Sequence, residues 1–276
     1  MHYQISQNAP PSHAIVKRAA AALLLFALLS LAQAQAGVIR DDRADTQYTN
    51  LANLTQYDPV GLLTLAGLGS CSGSLINPYW VLTAAHCVDS PAITSAIFEV
   101  GGSGYSASAW FPHETWTGNY SAGNDIGLVR LAEGVSGVSF AQLYTGSDEF
   151  FRVGTYVGYG RTGTGLTGAV LPGGTKRAGQ NLIDITVDGS DPAILVSDFD
   201  NPKDVGDNFP PTDPTPLDLE YIIAPGDSGG GLFIDVAGFT YLAGINSFIV
   251  GLDGTLDADY GDLGGATRVS GYVDWI

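Results

Sequence analysis

Short runs of apolar and β-branched residues, cut by Gly, Asn, Asp and Pro, recur along most of the chain. The pattern predicts strands over residues 60–65, 73–76, 80–83, 96–100, 126–131, 155–159, 182–187, 231–235 and 239–245. Val, Ile, Tyr, Phe and Thr dominate these runs, and such side chains suit a pleated, half-buried surface. Sustained 3.6-residue periodicity is scarce, and residues 269–276 are the one helix candidate beyond the N-terminal region. Many short strands at regular spacing imply an all-β sandwich or a pair of barrels. A polar turn over residues 143–149 separates two strand-rich halves, each of a normal domain size. Residues 198–220 are rich in Pro and Asp and read as a long surface loop, and residues 253–262 form a second acidic loop.

Composition supports the turn-rich picture. The 276 residues include 37 glycines, and charged residues make up only 14%. Eleven Lys and Arg against 28 Asp and Glu leave a net charge of −17, which argues against nucleic acid as a partner, since phosphate binding needs a basic face. At 45% apolar the chain can build a core, so it is not a disordered acidic segment.

The N-terminal region differs from the rest. Lys17 and Arg18 precede an apolar run over residues 19–31, too short for a bilayer span of about 20 residues. Ala34-Gln35-Ala36 then offers small residues where a signal peptidase cuts, so residues 1–36 read as a secretory signal peptide. Cutting after Ala36 starts the mature chain at Gly37. Residues 1–36 hold two of the basic residues and none of the acids, so the mature charge is −19. The product is expected to be secreted or periplasmic and off the membrane once the leader is gone. Cys71 and Cys87 are the only cysteines, and within one exported chain they can pair only with each other; two buried thiols are the alternative. Closing that loop stabilises the fold by about 3 kcal/mol in the chain-entropy picture.

Two histidines, His86 and His113, remain in the mature chain. His86 follows an apolar run and sits beside Cys87. Gly226-Asp227-Ser228-Gly229-Gly230 places a serine in a glycine-rich turn, where two backbone N–H groups can converge on one oxyanion. A G-x-S-x-G turn also matches the nucleophile elbow of α/β-hydrolases, but those enzymes place the histidine after the serine, and here none follows His113. The order His, Asp, Ser remains, with Asp125 at the head of an alternating apolar run. His113 reads as an exposed loop residue.

T-A-A-H-C at residues 83–87, N-D-I-G-L at 124–128 and G-D-S-G-G at 226–230 resemble the chymotrypsin/trypsin-like serine endopeptidases. C-S-G-S-L-I at 71–76 and V-G-Y-G-R at 157–161 extend the resemblance, which runs from about residue 60 to 276. It implies two six-stranded antiparallel β-barrels with a short C-terminal helix: residues 37–146 with His86 and Asp125, and residues 147–276 with Ser228. It implies that Ser228 attacks a peptide carbonyl, that His86 moves the proton and that Asp125 orients His86. It gives the oxyanion hole to the N–H groups of Gly226 and Ser228, and the substrate pocket to Ile222, Ser247, Phe248 and Gly264. No metal and no organic cofactor is implied; polypeptides are the implied substrates. A silent protease homologue acting as a binding module, or an esterase, is the alternative.

Three departures qualify the resemblance. Ile222 stands where trypsins carry an Asp, and an apolar floor cannot pair with Lys or Arg. No basic residue followed by I-V-G-G occurs, so the free N-terminus that pairs with the Asp before the nucleophile, here Asp227, would have to be Gly37-Val38-Ile39, released with the leader. The chain also ends soon after the expected helix begins, at Trp275-Ile276. Asp253, Asp257, Asp259 and Asp262 do not match the EF-hand spacing and read as a solvated loop.

Overall fold

A computed structural model describes residues 36–186, 193–204, 206 and 213–276. The expected leader, apart from Ala36, lies outside the described residues. The chain begins with strand β1 (Ala36–Ile39) and helix α1 (Asp45–Ala52). Strands β2 (Val60–Ala66), β3 (Gly69–Asn77), β4 (Trp80–Thr83), β5 (Ser95–Val100), β6 (Ser103–Pro112) and β7 (Gly127–Leu131) follow, with the short helix α2 (Ala85–Val88) after β4. These six strands close into a barrel in the order β2-β3-β4-β7-β6-β5.

Period-two patterning drives the closure. In β5, Ala96, Phe98 and Val100 point inward while Ser95, Ile97 and Glu99 face out. Leu63, Leu65, Leu75, Val81, Phe98, Val129 and Leu131 fill the interior. The β5–β6 hairpin turns on Gly101-Gly102, both at positive φ (59° and 78°), which the two-residue loop of a right-twisted hairpin demands.

The second half contains β8 (Val153–Gly158), β9 (Thr162–Thr164), β10 (Gly168–Leu171), β11 (Arg177–Leu182), β12 (Ile185–Thr186), β13 (Ile194–Asp198), β14 (Tyr221–Pro225), β15 (Gly231–Val236), β16 (Phe239–Val250) and β17 (Leu263–Arg268). Seven of them form one curved sheet, β11-β8-β15-β16-β17-β13-β12, a half-barrel that does not close among the described residues. The remainder make a small sheet, β10-β9-β1-β14. Thus β1, the first described strand, pairs with β14 just ahead of Ser228.

The all-β architecture matches the expectation, with differences in detail. The strand expected over 182–187 divides: β11 ends at Leu182 and β12 covers Ile185–Thr186, with residue 187 outside the described residues. The expected C-terminal helix is a single 3-10 turn, Val269–Tyr272. Between Leu131 and Val153 there is no regular helix or strand. Helix α1 had no signal in the hydrophobic pattern, because only Tyr48 and Ala52 of its eight residues are buried.

Candidate active site

Strand β4 runs out of the barrel wall into α2, which presents His86. Cys87, on the same turn, is joined to Cys71 of β3 by a disulfide with Cα atoms 6.3 Å apart. Asp125 precedes β7. Asn124 before it adopts positive φ (64°), a conformation that Asn tolerates, and Tyr272 braces it through its hydroxyl. Asp125 Oδ2 lies 2.7 Å from His86 Nδ1, and Asp125 Oδ1 accepts the His86 backbone N–H at 2.9 Å. A carboxylate can only accept, so the imidazole proton sits on Nδ1 and leaves Nε2 as a base. The His86 side chain is 14% exposed and Asp125 is buried. Burial disfavours the imidazolium, but the Asp125 charge, its hydrogen bond and the charge of Asp89 outweigh that and raise the His86 pKa above 6.5.

The second half grips the same carboxylate. Ser247 Oγ donates to Asp125 Oδ2, and Thr267 Oγ1 donates to the Asp125 carbonyl at 2.9 Å. The first half grips the serine turn in return. Ser72 N–H donates to Ser228 O at 2.7 Å, and Ser72 Oγ donates to Gly226 O at 2.8 Å. Gly229, at φ +80°, packs so tightly that a Cβ there would meet Thr83 Oγ1 at 2.0 Å. The turn is thereby held against the residues that lead into His86. Among the described residues, the N–H groups of Gly226 and Ser228 have no acceptor, while those of Asp227, Gly229 and Gly230 are engaged. Ser228 Oγ makes no hydrogen bond there either, and His86 Nε2 lies 3.7 Å from Cys87 Sγ. The His86–Asp125 pair is therefore formed in this structure and the Ser228–His86 hydrogen bond is not. Such bonds are commonly long without substrate.

Asp227 is buried behind Ser228. Gly37 N–H donates to its Oδ2 at 2.5 Å, Tyr221 OH at 2.8 Å, and Gly160 N–H reaches its Oδ1 at 3.3 Å. Burial pushes the Asp227 carboxyl up, and these donors pull it back in part. The segment expected to carry a new N-terminus thus reaches the buried Asp227 carboxylate.

The sequence-derived pocket residues are drawn together in part. Ile222 and Gly264 are neighbours, since a Cβ on Gly264 would stand 3.4 Å from Ile222 Cγ1. Phe248 lies flat against Gly265, the next residue. Ser247 instead points to Asp125. Two further residues had no motif to mark them. Ile249 is the cross-strand partner of Gly264 and packs on the cluster of Ile222, Ala224 and Phe199. Tyr120 stands edge-on to His86, with ring centroids 5.5 Å apart, and also touches Phe248 and Trp116. Only the burial pattern of a folded chain reveals either.

His113 is half-buried rather than exposed, because Tyr272 and Trp275 of the C-terminal segment pack against its ring at 5.1 and 4.7 Å. Cys71 and Cys87 are oxidised, so they offer His86 no thiolate partner for a metal. Asp257, Asp259 and Asp262 bring carboxylate oxygens within 4.8 Å of one another. Asp262 is not solvated as expected. It is buried and accepts the N–H groups of Leu252 and Ala258, and burial pushes its carboxyl up to about 8.

A family description named Trypsin matches residues 60–276. The chain belongs to the trypsin family. It is 40% identical over 83 residues to chymotrypsin-like elastase family member 1 of Macaca fascicularis, covering 27% of this chain and 31% of that protein. It is 29% identical over 233 residues to serine protease SSP1 of Scolopendra subspinipes, covering 75% of this chain and 72% of that one. The chain thus spans only about a third of the elastases it matches. Neuropsin, a serine protease expressed in the limbic system of mouse brain, superposes with a TM-score of 0.60 at 18% identity over 80% of this chain and 94% of neuropsin. At that identity the likeness speaks for the fold.

Proposed function

We propose that this trypsin-family chain is an exported serine endopeptidase that cleaves polypeptides through an acyl-enzyme. Ser228 is the nucleophile. His86 Nε2 takes its proton and later passes it to the leaving amine. Asp125 holds the reactive tautomer and stabilises the imidazolium that forms. The N–H groups of Gly226 and Ser228 receive the oxyanion of the tetrahedral intermediate. The observation that carries this reading is the partly buried His86–Asp125 hydrogen bond of 2.7 Å, in a fold that clamps the Ser228 turn to the strand delivering His86.

Residues 1–36 serve as the signal peptide, residues 37–146 hold the first barrel and residues 147–276 the second half. Removing the leader after Ala36 converts the Gly37 amide into an ammonium beside Asp227, which gives that buried carboxylate its counter-charge. The pocket lined by Ile222, Ile249 and Gly264 favours uncharged, apolar side chains. Casein and peptide-amide hydrolysis test the activity. Wild type should turn over both, and Ser228→Ala should lose about 10⁶ in turnover. Cleavage of activated esters alone would make the chain an esterase. No turnover of either, with a folded protein whose N-terminus is Gly37, would leave a silent homologue.

A further inference from the structure

We propose that the Tyr221 hydroxyl is a positioning group for the Ser228 turn. It holds Asp227 where an N-terminal ammonium would otherwise be needed, so the turn is set before a free Gly37 amine exists. The proposal rests on the serine endopeptidase reading above, since the turn it concerns carries the nucleophile. Tyr221 and Asp227 are both buried, each at 1% relative exposure. The Tyr221 hydroxyl donates to Asp227 Oδ2 at 2.8 Å, and the Gly37 N–H donates to the same oxygen at 2.5 Å. Gly37 makes that bond as a peptide amide, because Ala36 ahead of it also belongs to β1 and pairs with Pro225 of β14.

Three strands leave out side chains to make room for this pair. A Cβ on Gly158 of β8 would stand 2.0 Å from Asp227 Oδ1, and one on Gly179 of β11 would stand 2.2 Å from Tyr221 Cβ. On β1, a Cβ at Gly37 would meet the Tyr221 hydroxyl oxygen at 1.8 Å. Tyr221 is fixed further by its pairing with Ile39 of β1 and by the Asn181 side-chain amide, which donates to its carbonyl at 3.1 Å. Its ring centroid lies 6.3 Å from that of Tyr48 on α1. Burial first, then the Asp227 charge and hydrogen bond, raise the Tyr221 pKa well above its ordinary value, so the hydroxyl keeps its proton and stays a donor. Arg177 opposes that shift, but its guanidinium is held by Asp45 through two hydrogen bonds of 2.6 and 3.1 Å.

A carboxylate oxygen can accept two hydrogen bonds, and a bond to a charged acceptor is about twice as strong as a neutral one. Asp227 draws on Gly37, Tyr221 and, at 3.3 Å, the Gly160 N–H, and none of these donors is made by a proteolytic cut. Asp227 in turn fixes the peptides around Ser228. Its N–H donates to Ala224 O at 3.2 Å, and its carbonyl accepts the Gly230 N–H at 2.7 Å. Removing the leader thus adds a charge to this arrangement rather than creating it. Loss of the Tyr221 hydroxyl therefore matters most in a chain whose Gly37 is still an amide.

The test compares two forms of the protein, one beginning at Gly37 and one beginning three residues earlier at Ala34, with both N-termini confirmed by mass spectrometry after the assay. Their rates of peptide-amide hydrolysis should agree within about tenfold. Tyr221→Phe keeps the ring and removes the hydroxyl. It should lower kcat/KM at least about tenfold in the Ala34 form and no more than about threefold in the Gly37 form, where an ammonium takes over. A merely structural hydroxyl would depress both forms by the same factor. A wild-type Ala34 form more than about tenfold slower than the Gly37 form, or a substitution that acts equally on both forms or on neither, would overturn the proposal. Near-UV circular dichroism checks that each variant is folded. A double-mutant cycle between Tyr221→Phe and Asp227→Asn, read from denaturant unfolding of the Ala34 form in a Ser228→Ala background, needs no turnover. Coupling of at least about fivefold in the unfolding constant is expected, and weaker coupling would overturn the contact. Turnover absent from both wild-type forms, with the coupling intact, would refute the endopeptidase reading while upholding the Tyr221–Asp227 contact.

Discussion

Replacing Gly37 by alanine probes the junction between β1 and the Ser228 turn. A Cβ at this position would sit 1.8 Å from the Tyr221 hydroxyl oxygen and 2.2 Å from the ring carbon that bears it. Tyr221 cannot swing aside, because it is buried and its own Cβ lies 2.2 Å from where a side chain on Gly179 would begin. Strand β1 must therefore retreat, and the Gly37 N–H loses Asp227. A hydrogen bond to a buried charge is worth about 1.5–3 kcal/mol, and overpacking a filled site costs about 1–3 kcal/mol. The sum predicts a loss of about 2.5–6 kcal/mol, or a Tm lower by about 5–24 °C for a domain of this size. Guanidinium denaturation in the Ser228→Ala background measures the stability. Peptide-amide turnover in the active background should fall at least about tenfold, since Asp227 anchors the turn through its bonds with Ala224 and Gly230. N-terminal sequencing of both proteins verifies that they begin at the same residue. An unchanged midpoint with unchanged turnover would refute the tight Gly37–Tyr221–Asp227 arrangement.

Five further outcomes are expected. Because the His86 pKa is raised and the neutral form is the base, kcat/KM should fall toward acid pH with a midpoint above 6.5, and a flat profile from about pH 4 to 9 would contradict this. The same proton works oppositely on stability: the His86–Asp125 ion pair stabilises fully below about pH 6.5 and is lost as pH rises through the folded value, which a pH series of melts would detect. Asp125→Asn should cost about 10⁴ in kcat, whereas Ser247→Ala, which removes one bond to the same carboxylate, should cost roughly tenfold to a hundredfold. Replacing Cys71 and Cys87 together by serine should lower stability by about 3 kcal/mol, read from denaturant curves under non-reducing conditions. Esters of Leu or Phe should be cleaved much faster than those of Arg, because Ile222 offers a cation no partner.

How legible each part was in the sequence depended on how local its cause is. Strand β4 was expected over the residues it occupies, and β15 differs by one, because both are apolar runs bounded by turn residues. Strand β17 escaped notice because Leu263-Gly264-Gly265 resembles a loop. Its glycines are there for space, with the Phe248 ring against one of them. Strand β6 is written in Ser, Gly and Ala, and half-exposed positions carry little pattern. Helix α1 begins at Ala44, which has no side-chain oxygen to cap it; the glutamine three residues on supplies the one cap bond. The positions of His86, Asp125 and Ser228 followed from chain order and turn chemistry. Their clamps did not, since Ser72, Ser247 and Thr267 are ordinary strand residues until the two halves meet.

If His86, Asp125 and Ser228 act as one unit, the rate of covalent modification by a fluorophosphonate, with the labelled residue located by mass spectrometry, will depend on all three. Rapid, stoichiometric labelling of Ser228 is expected, slowed by orders of magnitude in His86→Ala and Asp125→Asn and absent in Ser228→Ala. Labelling at another serine, or a Ser228 rate that ignores the loss of His86, would contradict it.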